Sequence, residues 1–321
     1  MAPAKNPSFP PLPAPFLGGL LLTAGFMAFT AWDQSYWWRT KEDYGFGWLV
    51  PLFAAYVVYD RWPRVGARQR AAEHPEGGEP ARGRLLRWDS VIAGLILTGA
   101  GLLFLFGAFY RAAAGTTHLS SLAIALGMAG TALAGIYFLA PTHAASPAGR
   151  AAERRAMAGL FLFPVLVWLV SAPLLSSIDS SVSLYLMRQV TSIVFFVFDH
   201  LGLILEQRGN VLVLPTGSVG VEEACSGIRS LTGCLFAGSF LAAVFVRSPW
   251  KKFALIAASL VFAFGANLVR SIFLTSWAYH NGAASIEGTI HDASGYAVLG
   301  LTVVALLCVL PMLSRATPKT R

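Results

Sequence analysis

Stretches of about 20 apolar residues recur along this chain, and they constrain its fold more than any other feature. A helix built from such a stretch, at about 1.5 Å per residue, is as long as the hydrocarbon core of a bilayer is thick. Of the 321 residues, 55% are hydrophobic and 12% are charged, whereas soluble domains carry about 25% charged residues. The sequence therefore predicts an all-α polytopic membrane protein that forms a single integral membrane domain over residues 1–321.

Eight transmembrane helices can be placed in the sequence. Their predicted limits are 15–32, 45–60, 89–108, 119–140, 157–177, 225–246, 253–276 and 292–313. The second is short, and Pro51 within it predicts a kink or a tilt. The first follows a proline-rich stretch without a small-residue cleavage pattern, so we interpret it as a span that is retained in the mature protein.

Lysine and arginine concentrate in alternate loops between these spans. They lie after the second span (Arg61, Arg64, Arg68, Arg70, Arg82, Arg84, Arg87), after the fourth (Arg150, Arg154, Arg155), after the sixth (Arg247, Lys251, Lys252) and in the tail (Arg315, Lys319, Arg321). The segment 277–290 has neither residue type. Because basic loops stay on the cytoplasmic side, both termini are predicted to be cytoplasmic. The same distribution accounts for the net charge of +8 and argues against a nucleic-acid partner.

The segment 178–224 is predicted to lie on the outer face of the membrane. Residues 180–203 are apolar but include Arg188, Gln189, Asp199 and His200. A full span here would reverse the orientation of everything downstream, so an interfacial amphipathic helix before the sixth span is the better interpretation. Residues 209–221 alternate apolar with small or polar residues around a Pro-Thr-Gly turn, which predicts a short β-hairpin.

The sequence Val-Glu-Glu-Ala-Cys-Ser-Gly-Ile-Arg-Ser-Leu, residues 221–231, follows this hairpin directly. Cys225 is predicted to begin a helix, where the helix dipole lowers the pKa of a thiol. Ser226 beside it is small and leaves room for a substrate backbone. The carboxylates of Glu222 and Glu223 oppose thiolate formation, so a nucleophilic Cys225 needs a cation nearby.

Two arginines are candidates for that cation. Arg229 is four residues after Cys225 and so shares its helix face, where it acts either in a structural ion pair or directly in the reaction. Arg270 lies inside an apolar span, at a cost of about 2.5–3.5 kcal/mol, so it is expected to face protein or a watery cavity. Asn267, one turn earlier, could orient its guanidinium. That group is suited to a carbonyl oxygen that gains negative charge, and an interior salt bridge is the alternative role.

His291, with Asp292 beside it, is predicted to open the last span. A histidine there could accept the proton of the thiol and return a proton to a leaving amine. The predicted topology places Cys225, Arg270 and His291 together in the outer leaflet. The other two cysteines, Cys234 and Cys308, have apolar neighbours and are interpreted as packing residues.

Three motifs resemble the signatures of the exosortase/archaeosortase family. They are Glu223-Ala-Cys-Ser-Gly-Ile-Arg-Ser, Asn267-Leu-Val-Arg270 and His291-Asp-Ala-Ser-Gly295. The lead-in from Arg208 to Gly217 and the early sequence Tyr44-Gly-Phe-Gly-Trp-Leu-Val-Pro51 are also similar to that family. The resemblance extends from about residue 44 to residue 310.

This resemblance implies a transpeptidase of the bacterial inner membrane that acts on its outer side. Cys225 would be the nucleophile, Arg270 the oxyanion stabiliser and His291 the acid and base, with Arg229, Asn267, Glu223 and Ser226 in support. The implied partners are membrane-anchored proteins with a C-terminal tripartite signal, namely a short motif such as Pro-Glu-Pro, a hydrophobic helix and a basic tail, together with membrane lipids. No cofactor or metal is implied.

Two alternatives stay open from the sequence. A cysteine protease with the same residues would pass the acyl group to water rather than to an amine or hydroxyl. A transporter would use Arg270 and Asn267 to line its pathway, although the internal symmetry common in transporters is not visible.

Overall fold

The computed structural model describes residues 12–73, 85–220 and 227–314, with side chains for residues 12–69, 88–220 and 230–313. The chain is mostly helical. The α-helices are α1 (Ala14–Thr40), α2 (Val50–Glu73), α3 (Leu85–Ala114), α4 (His118–Leu139), α5 (Pro147–Val170), α6 (Ser176–His200), α7 (Gly227–Phe245), α8 (Pro249–Asn281) and α9 (Thr289–Ser314). Short 3-10 helices span Glu42–Leu49 and Ala283–Ile286.

Six helices of the described chain are long and apolar enough to cross a membrane, which confirms a multi-pass membrane protein. They are α1, α3 from Trp88, α4, α6, α8 and α9 to Leu313, and α7 contains the shorter apolar helix Ser230–Phe245. The predicted total of eight spans and their limits are not confirmed. In α2 and α5, charged residues occupy one end of each helix, from Asp60 onward in α2 and up to Arg155 in α5, and this shortens the apolar part.

The structure shows where two locally predicted features lie, Pro51 and the β-hairpin. Pro51 is the second residue of α2, a position that tolerates proline, and the predicted kink or tilt stays a prediction. The hairpin is confirmed and gains a third strand: β1 (Glu206–Arg208), β2 (Val211–Leu214) and β3 (Gly217–Gly220) form an antiparallel sheet in that order. The all-α class therefore holds apart from this small sheet.

The segment predicted as an interfacial helix forms α6, 25 residues long. Its length and composition meet the requirements of a membrane span. The interfacial position therefore stays a prediction, as does the orientation of the chain, because both depend on where the bilayer lies.

Packing divides the chain into two compact units. Compact units can belong to one membrane domain, so the single domain stays a prediction. Unit 1 comprises Met1–Thr40 with Gly47–Pro173, and unit 2 comprises Lys41–Phe46 with Leu174–Arg321.

Unit 1 contains a buried polar network at the C-terminal end of α1. Asp33 and Gln34 are fully buried. Asp33 forms an ion pair with Arg111 of α3, whose guanidinium also lies over the Trp32 ring, 3.8 Å from its centroid. Gln34 accepts a hydrogen bond from the Ser171 hydroxyl at 2.8 Å. These contacts give partners to Oδ1 of Asp33 and Oε1 of Gln34, atoms that would otherwise be costly to bury.

Unit 2 contains two apolar clusters. One joins α6, the sheet, α8 and the 3-10 helix at Ala283–Ile286, and its buried members include Val194, Leu212 and Leu274. The other joins α7, α8 and α9 and has Leu255 and Leu306 fully buried. The sheet is thus packed against the C-terminal part of α8.

The Asp33–Arg111 pair generates a prediction about stability. Replacement of Arg111 by Met leaves a buried carboxylate without its cation, which we expect to cost about 3–5 kcal/mol of unfolding free energy, measured by denaturation in detergent micelles. The matched control is Arg155→Met, because Arg155 pairs with Asp89 while their side chains are 59% and 30% exposed. That change should cost less than about 1 kcal/mol. Equal losses in the two variants would contradict the prediction.

The placement of α6 generates a second prediction, for a protein whose native cysteines are replaced. Exposed Ser177 precedes most of α6, and exposed Ser218 lies in β3 after it. If α6 is interfacial, Ser177→Cys and Ser218→Cys will both react with a membrane-impermeant maleimide on spheroplasts. Ser248→Cys, in the basic loop between α7 and α8, should react only after permeabilisation. Labelling of Ser177→Cys and Ser218→Cys from opposite sides would show that α6 spans the membrane.

Candidate active site

Arg270 is held in the interior of unit 2 by the beginning of α9. Arg270 is 9% exposed. This agrees with the expectation that a charge inside an apolar span faces protein, because exposure to lipid is costly. Its Nε donates to the Ser294 hydroxyl at 2.9 Å, and its Nη2 donates to the His291 carbonyl at 3.0 Å. The Ser294 hydroxyl in turn donates to the same carbonyl at 2.8 Å. The guanidinium, the hydroxyl and the carbonyl thus form a closed triangle of hydrogen bonds.

His291 is the third residue of α9. Its side chain is 30% exposed, and its Nδ1 lies 3.3 Å from Oδ1 of Asp292, whose side chain is 69% exposed. When Nδ1 carries the proton and donates to this carboxylate, Nε2 carries the lone pair and can accept a proton. The imidazole is thus accessible, while the backbone of the same residue is bonded to Arg270.

The reversal of the chain between α8 and α9 brings these residues together. Gly282 and Gly288 border the connection with φ angles of 91° and 65°, which favour glycine because it has no Cβ. Between them, the 3-10 helix Ala283–Ile286 contributes buried Ile286 to the apolar cluster with the sheet. The turn therefore sets α9 antiparallel to α8, with Ser294 beside Arg270.

One contact between α7 and α9 indicates the depth at which α7 begins. The two helices run in the same direction, because each is joined to α8 by a short connection. A Cβ placed on Gly233 would be 3.8 Å from Leu299, so α7 and α9 are in contact there. Six residues earlier on each helix, about 9 Å along the axes, Gly227 corresponds to Ala293.

Several predicted site residues fall outside the described part of the chain. These are Glu222, Glu223, Cys225 and Ser226, together with the side chain of Arg229. The structure therefore tests neither the distance from Cys225 to Arg270 nor that from Cys225 to His291. Among the described residues, it brings together Arg270, His291 and Ser294.

Asn267 is 4% exposed and lies one helical turn before Arg270. Its expected action on the guanidinium stays a prediction, and the structure shows Arg270 bonded to Ser294 and to the His291 carbonyl. Ser294 lies inside the motif that begins at His291, but a serine three residues after a histidine has no distinctive pattern. The contact of Ser294 with Arg270 becomes visible only in the structure, where α9 packs against Arg270.

The segment Lys41–Phe46, which contains the beginning of the early aromatic–glycine sequence, packs in unit 2 beside α7. The Thr232 hydroxyl donates to the Asp43 carbonyl at 3.1 Å, and the Phe46 and Phe236 rings are 5.2 Å apart. The Tyr44 hydroxyl accepts a hydrogen bond from the backbone N–H of Leu174 at 3.2 Å. Burial raises the pKa of the Tyr44 phenol, against the opposing effect of that N–H, so the group stays neutral near pH 7.

The sheet is anchored at the same end of α8. The Thr216 hydroxyl, in the turn between β2 and β3, donates to the Ala278 carbonyl at 2.9 Å. A Cβ on Gly217, whose φ is 135°, would be 3.1 Å from the Ala283 side chain, so the turn lies tightly against the connection between α8 and α9. Since β3 ends at Gly220, the sheet positions the chain just before residues 221–226.

Other places in the described chain offer less chemistry. A cavity of about 590 Å³ in unit 1, between α1, α2 and α5, is lined by apolar and aromatic side chains such as Met27, Pro51 and Trp62. It contains no side chain suited to nucleophilic attack or proton transfer near pH 7. Within residues 12–73, 85–220 and 227–314, no group of three or more His, Cys, Asp or Glu side chains could hold a metal ion.

Comparison with known proteins identifies the family. The family model for transmembrane exosortases matches residues 37–308, a range that includes the segment from Tyr44, Cys225, Arg270 and the beginning of α9. No curated protein and no solved structure matches the chain. Because the match covers most of the chain and every motif that the sequence singled out, this protein belongs to the transmembrane exosortase family.

Proposed function

We propose that this exosortase is a cysteine transpeptidase that cleaves the C-terminal sorting signal of membrane-anchored export substrates through a thioester acyl-enzyme. The observation that carries the proposal is the attachment of Arg270 to the first turns of α9, which also hold His291. Two of the three residues required for the reaction are thereby neighbours. Both lie in the range that matches the family model.

Cys225 is the proposed nucleophile. It precedes Gly227 by two residues, and two residues of chain reach at most about 7 Å. Gly227 is about level with Ala293, one turn into α9, as the contact between Gly233 and Leu299 indicates. This geometry supports a thiol at the depth of His291 and Arg270. The N-terminus of α7 and a guanidinium nearby would both favour the thiolate.

The reaction follows from these roles. The Cys225 sulfur attacks the scissile carbonyl carbon while Nε2 of His291 takes the thiol proton. The carbonyl oxygen becomes an oxyanion, which the Arg270 guanidinium stabilises. The intermediate collapses to a thioester, and the C–N bond breaks as His291 protonates the leaving amine. An acceptor amine or hydroxyl then attacks the thioester, loses its proton to His291 and releases the thiolate.

The substrate would be bound through its own hydrophobic helix. A helix of that kind shares the bilayer with α7, α8 and α9, so its binding energy is remote from the bond that reacts. We propose that the site lies on the outer side of a bacterial inner membrane, with both termini cytoplasmic. The basic tail of the substrate would then remain in the cytoplasm, beside anionic lipids.

The proposed function predicts which residues are required for cleavage. In cells that co-express a reporter with a Pro-Glu-Pro motif, a hydrophobic helix and a basic tail, Cys225→Ala and His291→Ala should abolish processing. Arg270→Ala should slow it by about 10²–10³-fold, the usual effect of removing one oxyanion donor. Immunoblotting of the reporter measures all three effects.

The matched control uses another cysteine of the same chain. Cys308 is free and exposed on α9, and Cys308→Ala should process the reporter at the wild-type rate. Unchanged cleavage in the Cys225, Arg270 and His291 variants would refute the proposed site. Hydroxylamine should intercept a thioester as a hydroxamate, and the mass of the product without hydroxylamine distinguishes transfer to an acceptor from release to water.

A further inference from the structure

Ser294 makes both of its hydrogen bonds within the triangle that contains Arg270. The Ser294 oxygen accepts a hydrogen bond from Nε of Arg270 at 2.9 Å, and the Ser294 hydroxyl donates one to the His291 carbonyl at 2.8 Å. Arg270 and Ser294 are 24 residues apart in the chain. The hydroxyl therefore joins two helices as well as two residues of the proposed mechanism.

The position of the acceptor on Nε determines what the guanidinium can do. An arginine side chain has several rotatable bonds, and a hydrogen bond at Nε, together with one at Nη2, constrains both the position and the plane of the group. The donors of a guanidinium form a rigid planar fork. Once the plane is set, the directions of the remaining N–H bonds are set as well.

Gly295, which has no side chain, leaves room for the Arg270 guanidinium beside α9. A Cβ on Gly295 would be 3.7 Å from Nη2 and 3.9 Å from Cζ of Arg270, so the guanidinium lies directly against the backbone of α9. A Cβ at these distances is in ordinary van der Waals contact, so a side chain larger than alanine at 295 is what would crowd the guanidinium. The guanidinium can therefore reach Ser294 and the His291 carbonyl at the same time.

We propose that Ser294 is a positioning residue that aims the Arg270 guanidinium at the oxyanion. This inference rests on the proposed function, since it assigns Ser294 to the same reaction. Its bond to the His291 carbonyl also ties the guanidinium to the backbone of the residue that carries the acid and base. Ser294 thus fixes the position of the Arg270 guanidinium relative to the backbone of His291. This is a form of preorganisation that acts mainly in the transition state.

Variants at position 294 test the inference through the reporter. Alanine cannot accept a hydrogen bond from Nε, and a hydrogen bond to a charged group contributes enough that its loss corresponds to about a 10- to 100-fold change in rate. We therefore expect Ser294→Ala to lower kcat by that factor and to leave KM within about threefold of wild type. Ser294→Thr keeps the hydroxyl and should restore most of the rate.

Ser259→Ala is the matched control. Ser259 is fully buried in α8, and its hydroxyl donates to the Ile256 carbonyl of its own helix at 2.7 Å. The substitution removes a buried hydroxyl of the same kind, far along α8 from Arg270, so the wild-type kcat should be kept. A role of Ser294 in folding alone would reduce the amount of folded protein and would not lower the kcat of the folded fraction.

A second measurement needs no substrate. In a protein whose remaining cysteine is Cys225, the pH dependence of alkylation by iodoacetamide reports the pKa of the thiol. A well-placed guanidinium favours the thiolate, so Ser294→Ala should shift this profile to higher pH, whereas Ser294→Thr and Ser259→Ala should not. If the wild-type enzyme leaves the reporter intact, this profile decides whether Ser294 positions Arg270.

The outcomes separate this inference from the proposed function. A Ser294→Ala variant with wild-type kcat and an unchanged alkylation profile would overturn the role of Ser294. The same holds if Ser294→Thr is as impaired as Ser294→Ala. Cleavage that persists in Cys225→Ala would instead overturn the proposed function. If Cys225→Ala is inactive and Ser294→Ala is fully active, the proposed function stands and the positioning role falls.

Discussion

A guanidinium in an apolar span is stable only when protein atoms replace its water, and this requirement on Arg270 dominates the arrangement of unit 2. The cost of about 2.5–3.5 kcal/mol at the centre of a membrane helix is offset when Nε and Nη2 donate to Ser294 and to the His291 carbonyl. Both acceptors belong to the first turns of α9. The beginning of α9 must therefore lie at the depth of Arg270. His291 belongs to the first turn of α9, so its imidazole lies at this depth as well.

The elements around this contact hold it in place from several sides. The sheet packs on the C-terminal part of α8 through Leu212 and through the hydrogen bond from Thr216 to Ala278. The early segment around Tyr44 packs beside α7 through the bond between Thr232 and the Asp43 carbonyl. Unit 1 obeys the same rule, since buried Asp33 is paired with Arg111. These two buried charges, Arg270 and Asp33, thus have a partner from another helix, which lowers the cost of burying them.

Much of the fold followed from local patterns. Apolar runs predicted the spanning helices, and alternation around the turn at Thr216 predicted the hairpin, because both patterns depend on neighbouring residues. The total of eight spans is not confirmed, since charged residues such as Asp60 and Arg155 shorten the apolar parts of α2 and α5, and the described apolar helix in α7 covers only Ser230–Phe245. Pro51, for which a kink or a tilt was predicted, is the second residue of α2.

For the site, the sequence by itself determined which residues are the candidates. A thiol at a polar threshold, an arginine in an apolar span and a histidine beside an acid are each unusual enough to be recognised from the identity of their neighbours, and the family match includes all three. Only the tertiary structure decided which atoms hold Arg270. Ser294 is 24 residues away, and it meets the guanidinium because the chain reverses between Gly282 and Gly288. A hydrogen bond between distant residues depends on that reversal, and no local pattern in the sequence specifies it.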